Sequence, residues 1–256
     1  MNPAINLNAD LGESYGAWTM GDDAAMLEIV RSANLACGFH AGDPLHMSQT
    51  LRLAFASGVS VGAHPSYPDL QGFGRRAMRL SDEELRAVVL YQVGALQALA
   101  RAAGGAVTHV KPHGALHNLA AADANTARVV CEAIAAVDAQ LILLAPAASV
   151  LAQVGQALGL NTALEIFADR NYQSDGQLVS RQQPNAMVGD AQACAQHVLR
   201  MLQAGGIVAA DGSVLPSDIH SICVHGDGAH AVATARAVKQ ALLDAGYALR
   251  PLTELI

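Results

Sequence analysis

The stretch Ile5-Asn-Leu-Asn-Ala-Asp10 alternates apolar and polar side chains along its whole length. Side chains of a β-strand point alternately to opposite faces, so Asn6, Asn8 and Asp10 share one face of a predicted strand. Strands of an ordinary parallel sheet are buried on both faces and are almost continuously apolar. This strand therefore packs its apolar face on a core and directs its polar face towards other polar groups.

The same alternation recurs in later segments of the chain. Polar faces are predicted for Ser60, Gly62 and His64; His109, Lys111 and His113; Glu165, Phe167 and Asp169; and Ser221, Cys223 and His225. Short apolar segments alternate with helix-length segments throughout, which is typical of βα units and a parallel sheet. We therefore expect an α/β fold, a (β/α) barrel with a polar mouth.

Seven strands are predicted, over residues 5–10, 33–37, 59–64, 108–113, 141–145, 163–169 and 221–225, with an eighth over 247–252. Helix starts are predicted at Asp43-Pro44, at the capping box Ser81-Asp-Glu-Glu84, and at Asp123 and Asp190. No linker-like stretch interrupts this order, so we expect residues 1–256 to form a single barrel domain.

Composition and charge exclude several classes of protein. Of 256 residues, 52% are hydrophobic and 14% are charged, which indicates a folded globule, and a net charge of −7 without a basic run disfavours nucleic acid as a partner. The first ten residues do not resemble a secretory signal.

Residues 139–164 carry no charge, but Pro146 interrupts them, and a buried strand followed by a helix explains them better than a membrane span. Four cysteines without a C-x-x-C pair fit reduced thiols, so we expect a cytoplasmic protein with no membrane partner.

Polar residues concentrate where the predicted strands end, and these are the candidate site residues: Asp10, Glu13, His40, His64, Lys111, His113, Asp169, Arg170, His225 and Asp227. Active sites of (β/α) barrels lie at this edge, because each strand end contributes a loop to one mouth. A lysine on an inward strand face is costly to bury unless it is paired, so Lys111 is expected to contact Asp10, Glu13 or a substrate carboxylate.

Two long connections, residues 65–80 and 170–189, are predicted to act as lids. They carry Arg75, Arg76 and Arg181, which could cover an anionic substrate. Cys37 is interpreted as a buried strand-end thiol and the other cysteines as packing residues. Converging partners are not evident for His46, His117, His197, His220 and His230. The sequence contains no P-loop and no complete G-x-G-x-x-G after the first strand, so a nucleotide would bind by another route or on another polypeptide.

Seven blocks of sequence resemble the LamB/YcsF family, in order and over nearly the whole chain. They are Asn6-Leu-Asn-Ala-Asp-Leu-Gly-Glu-Ser14, Ser32-Ala-Asn-Leu-Ala-Cys-Gly-Phe-His-Ala-Gly-Asp43, Gly62-Ala-His-Pro-Ser-Tyr-Pro-Asp69, Gly72-Phe-Gly-Arg-Arg76, His109-Val-Lys-Pro-His-Gly-Ala-Leu116, Phe167-Ala-Asp-Arg170 and Ile222-Cys-Val-His-Gly-Asp227. The resemblance implies a distorted (β/α)7-8 TIM-like barrel of the glycoside hydrolase/deacetylase superfamily type. It also implies one component of an ATP-dependent 5-oxoprolinase, which hydrolyses 5-oxo-L-proline to L-glutamate together with separate B and C subunits.

Under that resemblance, roles can be assigned to the candidate residues as a hypothesis. Asp10, with Glu13 or a histidine, would activate water, while His64, His113 and His225 would position it and move protons. Lys111 would stabilise charge on oxygen. The substrate-binding set is Asn8, His40, Arg75, Arg76, Asp169, Arg170 and Asp227. ATP would be handled with the partner subunits.

Two other functions stay open on the sequence alone. The first is a metal-dependent deacetylase or carbohydrate-processing hydrolase on the same scaffold, in which Asp10, His64 and His113 would ligate a divalent metal. The second is a non-catalytic subunit that binds the lactam or holds its partners together.

Overall fold

The computed structural model describes residues 3–226, 228 and 230–256, and within them the sheet closes into a barrel. The strands are β1 (Ala4–Leu11), β2 (Ser32–Ala36), β3 (Ser60–His64), β4 (Val107–Val110), β5 (Ile142–Pro146), β6 (Thr162–Phe167), β7 (Gly206–Val208), β8 (Val214–Pro216), β9 (Ser221–His225) and β10 (Ala248–Leu249). Parallel neighbours follow the order β1-β2-β3-β4-β5-β6-β9, and β9 pairs back with β1. The seven predicted strands therefore form a closed seven-stranded parallel barrel.

Helices occupy most of the connections between these strands. They are α1 (Asp23–Leu27), α2 (Pro44–Ala56), α3 (Asp82–Ala102), α4 (Gly114–Ala122), α5 (Ala124–Val137), α6 (Val150–Ala157), α7 (Ala191–Ala204) and α8 (Ala231–Asp244). The predicted caps are confirmed: the side chains of Asp43, Ser81, Asp123 and Asp190 each accept a backbone N–H of the helix they precede. The uncharged segment 139–164 holds β5 and α6, as predicted, and no described helix is long and apolar enough to span a bilayer.

Several parts of the sheet differ from the prediction. β4 ends at Val110 and β6 at Phe167, before the predicted ends at 113 and 169, so Lys111, His113 and Asp169 lie in the loops that follow these strands. The antiparallel hairpin β7–β8 was not predicted, because three-residue strands are too short to show a period of two. The eighth predicted strand is wrong in extent: β10 is two residues long and pairs with β1 through Ala4↔Ala248 and Ile5↔Leu249, at the start of β1. It extends the sheet beside the barrel and does not form an eighth barrel strand.

The two faces of β1 meet different surroundings. Ile5, Leu7 and Ala9 are fully buried in the apolar core. On the other face, Asn6 donates to Ser32 Oγ at 2.9 Å and accepts from Ser221 Oγ at 2.7 Å. β1 thus separates the main apolar core from a set of hydrogen-bonded polar side chains, and Ile142, Leu144, Ala163 and Leu252 form a second, small apolar cluster apart from that core.

The polar interior continues upwards from Asn8 towards the mouth. Asn34 donates to the side-chain oxygen of Asn8 at 2.7 Å and to Asp10 Oδ1 at 2.9 Å, and its own oxygen lies 3.0 Å from His109 Nε2. Gly62 makes room for His109, because a Cβ at Gly62 would collide with the imidazole ring. Burial lowers the pKa of His109 to about 3, so the ring is neutral and serves as a hydrogen-bonding member of the interior.

Candidate active site

A cavity of about 610 Å³ opens at the carboxyl ends of the barrel strands. Its floor is formed by side chains from the barrel strands or the loops that follow them: Asp10, His64, Lys111, His113, Phe167 and His225. The two long connections border it as the sequence predicts, since Arg75 comes from residues 65–80 and Tyr172 and Arg181 come from residues 170–189. The structure thus brings together the five residues Asp10, His64, Lys111, His113 and His225.

A buried ion pair lies at the bottom of this cavity. Lys111 Nζ is 3.0 Å from Asp10 Oδ1 and 3.3 Å from Glu165 Oε2, and it donates to Cys223 Sγ at 3.0 Å. Asp10 is paired with Asn34 of β2 on one side and with His225 of β9 on the other, and Lys111 directly follows β4. The expected contact between Lys111 and Asp10 is confirmed.

The pair fixes the charge state of the site. Burial disfavours the charged form of Asp10, but His64 and Lys111 outweigh it and hold the pKa of that carboxyl well below its usual value. Burial likewise acts against the Lys111 ammonium, yet Asp10, Cys223 and Glu165 keep its pKa well above the usual value. The pKa of Glu165 is raised, because burial outweighs the nearby lysine. At neutral pH the cavity floor therefore carries an ammonium bonded to a carboxylate.

Three histidines and one glutamate form a second group next to this pair. His64 Nε2 lies 3.3 Å from Asp10 Oδ2 and 3.0 Å from His113 Nδ1. His40 stacks on His113 with ring centroids 3.9 Å apart, and its Nε2 is 3.3 Å from Glu13 Oε1. Burial, together with neighbouring imidazoles, lowers the pKa of both His40 and His113 well below the usual value.

His225 is held by Asp169, which ends up beside the cavity and not in its lining. Its Nδ1 lies 2.8 and 2.9 Å from the two oxygens of Asp169. Burial raises the pKa of Asp169, but His225 outweighs it, so the net shift is downwards. The His225 ring also stacks on Phe167, at 5.4 Å between centroids. With Nδ1 committed to the carboxylate, Nε2 is the nitrogen left to face a reactant.

The predicted cations occupy three different positions. Arg75 lines the cavity and its guanidinium lies over the Phe73 ring. Arg170 also lines it, but its guanidinium donates to the carbonyls of Val179 and Ala186, so it fastens the 170–189 connection. The Arg76 side chain is 65% exposed and pairs with Asp69, and Arg76 is not among the described residues that line the cavity.

Two further predicted substrate-binding residues, Asn8 and His40, lie away from the open cavity. Asn8 is buried below it, where it donates to Ser221 Oγ at 2.8 Å and to Glu165 Oε2 at 3.3 Å. His40 is buried behind His113. Asp227 lies outside the described residues.

Sequence reasoning overlooked three contributors to the site. Glu165 and Cys223 were assigned to inward strand faces, but their contacts with Lys111 were not foreseen. Cys223 is buried in the core cluster, as its interpretation as a packing residue requires, and it also accepts a hydrogen bond from Lys111. His117, for which no converging partner was expected, lines the cavity and packs edge-on against Phe167. The signal for Cys223 and Glu165 was the inward alternation itself, because side chains on that face share the barrel interior with Lys111.

Among the residues that the structure describes, two groups of side chains have the donor types and the proximity that a metal ion needs. Glu13, His40, His64 and His113 form the first, and Asp10, Cys223 and His225 form the second. The second group does not fit a cation, because Lys111 Nζ already contacts Asp10 and Cys223, and burial raises the pKa of the Cys223 thiol well above its usual value. Burial also raises the pKa of Cys37 to about 12, which supports its assignment as a packing residue.

Fold and site together define a closed (β/α)-barrel protein with a charged, histidine-rich cavity at the carboxyl ends of its strands. The family model described as the LamB/YcsF family matches residues 5–256, and the chain belongs to this family.

Two named relatives cover almost the whole chain. A protein of Azoarcus sp. (strain BH72), named as the A subunit of 5-oxoprolinase, is 57% identical over 251 residues, 98% of each chain. A protein of Methylococcus capsulatus with the same name is 52% identical over 246 residues, which are 96% of this chain and 95% of that one.

Solved structures support the same fold. A crystal structure named as a lactam utilization protein from Thermus thermophilus is 45% identical, with a TM-score of 0.90, and the match covers 96% of this chain and 99% of that one. The peptidoglycan deacetylase PdaC from Bacillus subtilis matches with a TM-score of 0.51 at 13% identity, over 99% of this chain and 90% of that one, which is a likeness of fold alone. The expected TIM-like (β/α) barrel is confirmed.

Proposed function

We propose that this chain is the A subunit of an ATP-dependent 5-oxoprolinase and that its cavity takes part in opening the ring of 5-oxo-L-proline to give L-glutamate, together with B and C subunits. The observation that carries the proposal is the 57% identity, over 98% of both chains, to a protein named as the A subunit of 5-oxoprolinase. The relative named as a lactam utilization protein supports the same substrate class.

The reaction sets three requirements that the cavity can meet. Water must add to the ring carbonyl carbon, the C–N bond must break, and the nitrogen must gain a proton. A group that takes up and returns a proton, a positive charge near the carbonyl oxygen, and a cation for the substrate carboxylate are therefore needed. His225, Lys111 and Arg75 all line the cavity and have these properties.

His225 is best placed among them to move the proton. Asp169 holds its Nδ1, which fixes the ring tautomer and leaves Nε2 for water, as in the histidine–carboxylate pairs of many hydrolases. Asp10 has a strongly lowered pKa and is bonded to Lys111, so it orients water or His64 and is a weak base. Lys111 stays charged and can stabilise negative charge on oxygen.

ATP supplies the energy in this proposal by transferring its γ-phosphoryl group to the lactam oxygen, with ADP as the leaving group. One water adds to the activated carbon, C–N cleavage leaves an acyl phosphate, and a second water releases phosphate and glutamate. The chain contains no P-loop sequence, which favours partner subunits as the site of nucleotide binding.

The test is reconstitution with the B and C subunits, with glutamate and phosphate release measured for the wild type and two variants. We expect His225→Gln to lower kcat by roughly 10²–10⁴-fold, the usual contribution of a positioned acid–base group. Asp10→Asn should also reduce turnover strongly. His46→Gln, on helix α2 and outside the cavity lining, is the matched control and should keep normal activity. Absence of glutamate formation by the wild-type complex, or unchanged turnover of both variants, would refute the proposal.

A further inference from the structure

Four buried side chains converge beside the Lys111–Asp10 pair and have no step in the proposed reaction that requires all of them together. Glu13, His40, His64 and His113 come from the ends of four successive strands or the loops that follow. Each offers one ligand atom, and these four atoms all lie within 4.8 Å of one another.

Hydrogen bonds to the main chain fix the tautomers of two of these histidines. His64 Nδ1 lies 2.7 Å from the carbonyl oxygen of Lys111, and His113 Nε2 lies 2.9 Å from that of Phe73. A carbonyl oxygen only accepts, so each of these nitrogens carries the hydrogen. A neutral imidazole has a single N–H, so in the neutral rings His64 Nε2 and His113 Nδ1 each present a lone pair, and Asp10 Oδ2, 3.3 Å from His64 Nε2, is a further acceptor there.

Those two lone pairs face each other at 3.0 Å. Two acceptors cannot form a hydrogen bond, and their partial negative charges repel, so this arrangement requires a positive species between the rings. The species is either a proton shared by the two rings or a metal ion.

The remaining members of the group distinguish these alternatives. Glu13 Oε1 is 3.6 Å from His113 Nδ1 and 3.3 Å from His40 Nε2. A carboxylate and a third imidazole therefore lie next to the space between His64 and His113. In the chain without metal, His40 Nε2 donates its hydrogen to Glu13 Oε1, whereas His40 Nδ1 is buried without a hydrogen-bond partner among the described residues. Transfer of the hydrogen to Nδ1 would give Nε2 a lone pair for a cation that also takes Glu13 Oε1. A shared proton accounts for only two of these atoms, whereas a cation with four ligands accounts for the convergence of all four.

Three of the six separations between the ligand atoms agree with a small tetrahedral ion, and all six are within 4.8 Å. Ligand atoms about 2.0–2.1 Å from zinc lie about 3.3–3.4 Å from one another in a tetrahedron. The neighbouring separations in this group are 3.0, 3.3 and 3.6 Å. Imidazole-rich sets with one carboxylate select zinc and other first-row transition metals over magnesium or calcium.

The surroundings also match those of metal ligands. Ligating histidines usually donate their other ring N–H to a carbonyl or carboxylate, as His64 and His113 do here. Phe73 has a φ of 52°, a left-handed conformation uncommon for a residue other than glycine, and its carbonyl is the one that accepts from His113. A strained backbone is thus maintained where it orients one of the four donors.

We propose that Glu13 Oε1, His40 Nε2, His64 Nε2 and His113 Nδ1 bind one divalent transition-metal ion of the zinc type. This set shares His64 and His113 with the set expected from the sequence and has Glu13 and His40 in place of Asp10. Asp10 Oδ1 is occupied by Lys111 and Asn34, and its Oδ2 is a neighbour of His64. The site stands apart from the proposed function, because metal binding is measured on the isolated chain without turnover.

The experiment uses the untagged full-length chain, freed of metal by a chelator and then dialysed. Zn²⁺ is titrated by calorimetry, and Co²⁺ is titrated while its visible absorption is recorded, since intense d–d bands report tetrahedral nitrogen and oxygen ligands. We expect one ion per chain and a higher Tm with Zn²⁺. Glu13→Gln and His113→Gln should each weaken binding by at least about a hundredfold, because loss of a ligand exceeds the 10–100-fold loss seen for outer-shell partners.

His117→Gln is the matched control, because His117 is a buried cavity-lining histidine outside the group of four. It should bind Zn²⁺ like the wild type. Circular dichroism confirms that each variant is folded, and the near-isosteric Glu13→Gln keeps the test decisive if His113→Gln does not fold. Absence of saturable 1:1 binding, equal affinity in Glu13→Gln and wild type, or a low-field imidazole N–H resonance linking His64 and His113 that persists with excess Zn²⁺ would overturn the proposal.

Discussion

Lys111 Nζ and Asp10 Oδ1 lie 3.0 Å apart inside the barrel, although their residues are 101 positions apart in the chain and belong to segments separated by two strands. The contact joins the amino-terminal strand to the residue that directly follows the fourth strand of the barrel. The same ion pair therefore affects both the free energy of unfolding of the barrel and the charge at the floor of the cavity.

Removal of the lysine should destabilise the fold. Lys111→Met keeps most of the side-chain volume but leaves Asp10 buried without its cation and Glu165 without a counter-charge. The cost of breaking a buried pair in this way is about 3–5 kcal/mol in the free energy of unfolding, measurable by urea denaturation at pH 7. Addition of Glu165→Gln should recover part of the loss, and a loss below about 1 kcal/mol would contradict this account of the pair.

The same pair predicts how stability depends on pH. The folded-state pKa of Asp10 is below its unfolded value, so its contribution is present above about pH 4 and is lost as the pH falls through the folded pKa. The folded-state pKa of Lys111 is raised, so its contribution is present below about pH 10 and is lost as the pH rises through the folded pKa. Asp10→Asn should therefore be less stable than the wild type between these limits, with the difference shrinking below about pH 4. Urea denaturation at a series of pH values measures it, and a constant difference down to about pH 2 would be inconsistent with the lowered pKa.

The Asp169–His225 contact predicts a positioning effect on the proposed reaction. Asp169→Asn keeps the shape of the side chain but no longer fixes the proton on His225 Nδ1, so the ring can adopt the wrong tautomer. We expect kcat of the reconstituted complex to fall by at least about a hundredfold with little change in KM, and the pH profile of kcat to shift. A purely structural role would instead lower Tm and leave the pH profile of the remaining activity in place.

Gly74 predicts a local effect on the histidine group. It has a φ of +64°, and a Cβ there would collide with Ser66 Oγ and press on His40 and His113. Gly74→Ala should lower the free energy of unfolding by about 1–2 kcal/mol from the backbone alone, and more through the collision. Gly94→Ala, in helix α3 with no atom near the added Cβ, is the matched control and should raise stability by up to about 1 kcal/mol. Thermal unfolding of both variants checks the pair, and equal effects would show that the surroundings of Gly74 are not restrictive.

Local sequence pattern was sufficient to predict most of the barrel. The alternation around Asn8 and Lys111 identified the inward faces, and the caps at Asp43 and Ser81 located helix starts, because both signals depend on neighbours in the chain. The number of barrel strands depended on closure between β1 and β9, which is a contact between the two ends of the chain and leaves no local trace.

The sequence predicted which residues line the site better than it predicted the contacts between them. The strand-end positions of His64 and His225 placed them at one mouth. The attachment of Arg170 to the carbonyls of Val179 and Ala186 depends on how the following loop folds back, and Lys111 could reach Cys223 only after the barrel had closed. Such contacts are set by tertiary geometry, which spacing along the chain does not encode.

The ladder of Asn8, Asn34 and His109 has a consequence for how the strands find their alignment. Each of these hydrogen bonds joins a donor on one strand to an acceptor on another. A register shift of two residues would keep the same side chains facing inwards but would leave buried polar groups without partners. Each such group would lower the free energy of unfolding by about 1–3 kcal/mol. An apolar interior would tolerate such a register shift, since one aliphatic side chain can take the place of another. The hydrogen bonds among these polar side chains thus favour one register of the strands that carry them, and therefore one shear for the closed barrel.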